Sequence, residues 1–220
     1  MEIKEQNLQT QLDEVKNNFE SKADASIIKI YNDGIKAVTK SGVLENAKNV
    51  GDTAPNFILK NALGNPVELQ EFLKKGKVVL TWYRGGWCPF CNLTLRELQQ
   101  ELPNFNANNA TLIALTPEVP DNSLSTKEKH NLDFEVLSDL GNKIAKEYGI
   151  VYKLTDDVAK SYNSSFGLNN YNGDDSNELP LAATYIINED GTIAYAFLDA
   201  EYRNRAEPTE ITKFLSSNPS

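Results

Sequence analysis

The chain has 220 residues, and its 22 lysines and arginines against 31 aspartates and glutamates give a net charge of −9 at neutral pH. So acidic a balance excludes nucleic-acid binding through phosphate contacts, which needs clustered cations, and adsorption to anionic membranes. Hydrophobic residues at 40% and charged residues at 24% describe a folded globular chain, long enough to bury roughly 70% of its unfolded surface with no disulfide or metal to staple it.

Residues 1–48 read as an N-terminal helical extension ahead of a body spanning 49–220. Leu8, Leu12, Val15 and Phe19 recur at spacings of four, three and four, an apolar stripe along a first helix. Asp24 stands where it would cap a second helix carrying Ile27, Tyr31, Ile35 and Val38, with Gly42 just past its end. The stripe predicts packing against the chain's own body, with a dimer arm as the alternative. From Gly51 the pattern turns to strands. Asn56–Leu59 and Pro66–Leu69 flank a Gly64-Asn65 step and predict a hairpin. The run Lys77–Tyr83 is apolar throughout, as for a central strand buried on both faces. A helix with Pro89 at its first position and Leu95, Leu98 and Leu102 on its apolar side follows, then a strand over Ala110–Leu115. Strand, helix, strand predicts a parallel crossover.

Further on, Leu124–His130 and Asn142–Tyr148 read as helices and Phe134–Leu137 as a short strand. Residues 161–178, rich in Asn, Gly, Ser and Asp, read as a long surface loop. Thr184–Ile187 and Thr192–Phe197 flank an Asp190-Gly191 step, a hairpin signal, and a last helix is predicted over Glu207–Leu215. The fold class is α/β, with a central mixed sheet flanked by helices. The N-terminal residues carry no apolar signal core and no segment reaches the ~18 apolar residues of a membrane span, so the expected location is the cytoplasm.

Both cysteines lie in Trp87-Cys88-Pro89-Phe90-Cys91. A disulfide stabilises by closing a long loop, so a bridge across two residues contributes little, and the spacing points to chemistry. Cysteine acts as thiolate, which a helix N-terminus favours through its free N–H groups and partial positive charge. With Pro89 first in the helix, Cys88 becomes the cap and Cys91 falls in the first turn. Arg84 can add a full charge, and Gly85 and Gly86 permit a tight passage from strand to helix. A single histidine, His130, falls short of a zinc site with one cysteine pair, and Asn92 after Cys91 breaks the haem-attachment pattern. No cofactor is expected. His130 itself, between Lys129 and Asn131, reads as an exposed residue, and residues 201–207 as a solvated turn. Trp82, Tyr83, Trp87 and Phe90 read as core and pocket wall.

The stretch Leu80-Thr81-Trp82-Tyr83-Arg84-Gly85-Gly86-Trp87-Cys88-Pro89-Phe90-Cys91-Asn92 resembles the active-site segment of the peroxiredoxin-like branch of the alkyl hydroperoxide reductase / thiol-specific antioxidant family. Val50–Phe57, Leu137-Ser138-Asp139 with Ile144–Gly149, Leu179–Tyr185 and Asp199–Pro208 are similar to further blocks of that family. The resemblance implies a thioredoxin-like fold and thiol-based reduction of hydroperoxides. Cys91 matches the attacking cysteine, and Cys88 stands where threonine or serine is usual. Arg84 replaces a proline, and Ala182 an arginine. Cys88 is then the resolving partner, Arg84 a support for the thiolate, and a thioredoxin-like or glutathione-type dithiol the reductant; a homodimer fits the family. The motif is also similar to the thioredoxin site, in which the first cysteine attacks protein disulfides. A redox sensor that uses the same pair without turnover is the non-enzymatic alternative.

Overall fold

The computed structural model describes residues 7–61 and 63–219. The chain begins with helices α1 (Leu8–Glu20), α2 (Ala25–Lys40) and α3 (Val43–Asn46), then the antiparallel pair β1 (Ile58–Lys60) and β2 (Pro66–Glu68), with Ile58 opposite Glu68. A short helix α4 (Leu69–Leu73) leads into β3 (Lys77–Trp82), α5 (Pro89–Ala107), β4 (Ala110–Thr116), α6 (Pro120–Lys129) and β5 (Glu135–Ser138). The remaining elements are α7 (Lys143–Glu147), β6 (Val151–Lys153), α8 (Asp156–Phe166), α9 (Leu168–Asn172), β7 (Glu178–Pro180), β8 (Thr184–Ile187), β9 (Ile193–Phe197) and α10 (Pro208–Ser217).

The central sheet has the order β5-β4-β3-β8-β9. Strand β3 runs parallel to β4 and antiparallel to β8, so the sheet changes sense at the strand that carries the cysteine segment. Period-two alternation divides that strand between two cores. Val78, Leu80 and Trp82 point to one face with Ile113, Leu115 and Tyr185, while Val79 and Tyr83 point to the other with Leu112, Ala114 and Ile186. Burial on both faces explains the unbroken apolar run in the sequence.

Helix α1 packs on the second face. Asn7 caps it, its side chain accepting from Thr10 N at 2.9 Å, and Leu8 and Leu12 are buried in the same cluster as Leu95 and Leu98 of α5. The chain's own body covers this end of the stripe, and Phe19 at the other end is 37% exposed. Glu207, the residue before α10, accepts from Leu8 N at 3.1 Å and Gln9 N at 3.4 Å. Asp24 precedes α2 as expected, but its side chain makes no capping hydrogen bond.

One expectation fails. Residues 161–178 are not a loop: they continue α8, form α9 and enter β7, which pairs with β6. Their polar composition conceals a buried side built from Val158, Ala159, Tyr162, Leu168 and Asn172. Gly167 (φ +70°) and Gly173 (φ +69°) end the two helices in the left-handed conformation that glycine adopts without strain. The glycines that read as loop are helix terminators.

Candidate active site

Strand β3 delivers Tyr83 and Arg84, both buried, to the turn before α5. Gly85 takes φ +151°, and a Cβ there would run into the Trp87 indole nitrogen. Cys88 is the N-cap of α5 in extended conformation, Pro89 its first residue and Cys91 its third. Both sulfurs are fully buried and unlinked.

Each sulfur has its own arginine. Arg84 Nη2 donates to Cys88 Sγ at 3.3 Å, and Arg205 Nη2 donates to Cys91 Sγ at 3.4 Å. Residues 201–207 are therefore not a solvated turn. Arg203 and Arg205 are each 8% exposed: Arg203 binds both carboxylate oxygens of Glu201 at 2.7 and 2.6 Å, and Arg205 donates to the Asn204 carbonyl as well as to the thiol. The guanidinium of Arg84 lies 3.8 Å from the Tyr202 ring centroid, 5.1 Å from Trp87 and 5.7 Å from Tyr162, and also donates to the Tyr162 hydroxyl at 3.3 Å. Aromatic faces replace part of the hydration that a buried cation loses.

Burial alone would push both thiols up. At Cys88 a hydrogen bond from Cys91 and the charges of Arg84 and Arg205 outweigh burial, and the thiol lies well below its ordinary value. Cys91 lies well above its own, through burial and then through the hydrogen bond and charge of Cys88. Two thiolates in contact cannot both ionise cheaply, so the pair carries one negative charge, resting on Cys88 and reaching Cys91 by transfer of one proton between the sulfurs.

Two further groups border the thiols. Glu118, fully buried just past β4, accepts from Gly86 N at 2.8 Å through Oε1. Burial raises its carboxyl to about 7, against the Gly86 hydrogen bond, and negative charge on Cys91 adds to the rise. On the other side a cavity of 90 Å³ is walled by Phe19, Trp87, Phe90, Tyr162, Phe166 and Tyr202, with Arg84 on its lining. Trp87 stacks on Phe166 at 5.4 Å between centroids, and Phe90 meets Tyr202 edge-on at 5.7 Å. Trp82 and Tyr83 belong to the two cores. His130 is half-buried at the end of α6, where burial and then Lys129 and Arg96 push its pKa down. Among the described residues no three His, Cys, Asp or Glu side chains converge as metal ligands, and no helix is long and apolar enough to cross a membrane.

Arg205, Glu118 and Tyr162 escape a reading of the sequence alone. Arg205 is 114 residues from the thiol it contacts and sits in a charged run. Glu118 lies between Pro117 and Val119-Pro120 with no motif around it. The Asp199–Pro208 likeness quoted above is the one signal that could have singled out Arg205.

A β-strand followed by a turn into Cys-x-x-Cys, with the first cysteine capping the next helix, on a mixed sheet with helices over both faces, defines a thioredoxin-like protein. The AhpC/TSA family profile matches residues 50–196, and the chain belongs to that family. It is similar to peroxiredoxin Q, chloroplastic, of Gentiana triflora, 29% identical over 172 residues, which cover 76% of this chain and 66% of that one. It is also similar to thiol-disulfide oxidoreductase ResA of Bacillus thuringiensis subsp. konkukian, 31% identical over 108 residues, 49% of this chain and 61% of ResA. The matched stretches thus span less than two thirds of either relative's length. Among solved structures, peroxidoxin BcpB from Mycobacterium tuberculosis superposes with a TM-score of 0.62 at 18% identity, over 78% of this chain and 99% of that one, a likeness of fold.

Proposed function

We propose that the chain is a thiol-dependent peroxidase whose working parts are Cys91, Cys88 and Arg84, with Arg205 completing the site. The observation that carries this reading is the pair of arginine–sulfur contacts on two adjacent buried thiols at a helix N-terminus. Such a site stabilises a thiolate, and its neighbour is placed to trap what the thiolate becomes.

Cys91, at the position of the family's attacking cysteine, takes the proton-depleted state by passing its proton to Cys88. Its sulfur attacks the distal peroxide oxygen: an S–O bond forms, the O–O bond breaks, and the departing oxygen takes a proton to leave as alcohol or water. The sulfenic acid then condenses with the Cys88 thiol, releasing water and forming the Cys88–Cys91 disulfide. An external dithiol, thioredoxin-like or glutathione-type, returns the pair to thiols. The apolar cavity beside Arg84 supports organic hydroperoxides as substrates alongside hydrogen peroxide. A pair that must be re-reduced suits a reducing compartment such as the cytoplasm.

A second reading, a disulfide oxidoreductase led by Cys88, draws on the low pKa of the Cys88 thiol and on its place at the cap of α5. The two part on one experiment. Cys88→Ser and Cys91→Ser variants are oxidised with stoichiometric hydrogen peroxide in the presence of a sulfenic-acid trap and weighed intact. The peroxidase reading expects an adduct in Cys88→Ser, on Cys91, and none in Cys91→Ser. An adduct on Cys88 alone reverses the roles, and no adduct in either removes the sulfenic intermediate.

A further inference from the structure

The carboxyl of Glu118 has no part in the steps above, yet it is a fully buried acid held on the turn that leads to Cys88 and coupled to the charge of Cys91. Its Oε1 is held by Gly86 N at 2.8 Å, while Oε2 is buried without a well-formed hydrogen bond. The Tyr83 hydroxyl, just past the end of β3, is buried beside this carboxyl and the Thr116 hydroxyl, likewise without a well-formed hydrogen bond. Both groups feel the charge of Cys91. A carboxylate with one bare, buried oxygen is costly, and it is costliest beside a second negative charge. The groups facing Glu118 are the Tyr83 hydroxyl from β3, the Cys91 thiol from α5, the Thr116 hydroxyl from β4, the Gly86 amide, and, on the far side of Gly86, the Thr126 hydroxyl of α6. Of these only Cys91 and Tyr83 titrate, and burial holds Tyr83 neutral. The charge state of Glu118 therefore answers to the cysteine pair, through the negative charge that reaches Cys91 by proton transfer to Cys88.

We propose that Glu118 is the proton store of the Cys88–Cys91 couple, protonated while the pair is reduced and ionised while it is a disulfide. The proposal rests on the reading of this pair as a redox couple. The protons balance. In the reduced state the site holds one thiolate, one thiol and one carboxylic acid. Oxidation by hydrogen peroxide converts these to a disulfide, a carboxylate and two waters: of the four hydrogens in those waters the peroxide brings two, the thiol one, and Glu118 instead of the solvent the fourth. On reduction an external dithiol gives up two electrons and two protons, one returning to a cysteine and the other to Glu118. Once the thiolate is gone, its repulsion of the carboxylate goes with it, and Arg205 at the Cys91 sulfur is left without that counter-charge, which favours the ionised carboxyl in the disulfide state. Glu118 acts through the sulfurs and is a positioning residue for protons, not a group that touches substrate.

The test is the pH dependence of the midpoint potential in the full chain, equilibrated with dithiothreitol buffers, for wild type and Glu118→Gln. The glutamine keeps an Oε1 acceptor for Gly86 N but cannot ionise. Each proton taken up per two electrons changes the equilibrium constant tenfold per pH unit, which is about 30 mV. Below the Glu118 pKa of about 7 the wild type is expected to take up two protons, about 59 mV per pH unit, and Glu118→Gln one, about 30 mV. Equal slopes overturn the proposal. A wild-type pair that forms no reversible disulfide overturns the peroxidase reading instead. Should Glu118→Gln fail to fold, the wild type alone decides: in lightly buffered solution with a pH indicator, started below the Glu118 pKa of about 7, oxidation by stoichiometric hydrogen peroxide consumes no solvent proton if Glu118 supplies it, and one per disulfide if it does not.

Discussion

The two sulfurs stand one helical turn apart in opposite surroundings. Cys88 faces Arg84, whose charge is enclosed by Tyr202, Trp87 and Tyr162 and opens on an apolar cavity. Cys91 faces Arg205, Tyr83 and Glu118, a closed polar cluster. One side is apolar and borders a cavity, and the other is polar and enclosed. Two cysteines of equal burial thereby acquire opposite pKa directions, and the difference comes from neighbours, since both sit at the same helix end.

Replacing either cysteine by serine should break the asymmetry outright. Turnover with an external dithiol falls to background in both variants, while Cys88→Ser still consumes one equivalent of peroxide, as a stopped peroxide assay would show. The next largest effect is on stability at the polar side. The folded pKa of Glu118, about 7, exceeds the ordinary carboxyl value of 4.5, so its contribution is fully present below pH 4.5 and is lost as the pH rises through 7. Glu118→Gln has no such loss. Relative to wild type it should gain on the order of 3 kcal/mol between the two ends of that window, measured by urea unfolding of the reduced protein; a pH-independent difference would contradict the assigned pKa. Arg205→Met removes a charge-assisted hydrogen bond worth about 1.5–3 kcal/mol, which should slow the peroxide reaction at neutral pH roughly 10- to 100-fold and move the pH midpoint of thiolate absorbance upward. Phe166→Ala sharpens the apolar side: losing the stack on Trp87 costs about 1 kcal/mol and should raise KM for cumene hydroperoxide roughly fivefold, with hydrogen peroxide unaffected. An equal change for both peroxides would show that the cavity does not bind substrate.

Much of this was legible from local pattern. The runs at 77–83 and 110–115 are apolar because β3 and β4 are covered on both faces, and the cysteine motif carries its own helix start in Pro89. What escaped depends on distant contacts. The stretch 161–178 reads as loop because asparagine and serine dominate, although Val158, Ala159 and Tyr162 already lie at helical spacing. Arg203 and Arg205 look solvated because long charged side chains usually are; burial becomes affordable only where Glu201 pairs one and a thiolate-bearing pair takes the other. No local rule distinguishes Glu118 from a surface glutamate until the fold encloses it.

The Glu207 carboxylate, which holds Leu8 N and Gln9 N while preceding α10, ties the first described helix to the last. Both of those helices lie against α5, the helix that begins at Cys88. The first and last described helices thus form a clasp around α5, and loosening either one is transmitted to the other through a single side chain. Hydrogen exchange in α1 and α10 should therefore rise together, and with it the freedom of the α5 end that carries both sulfurs.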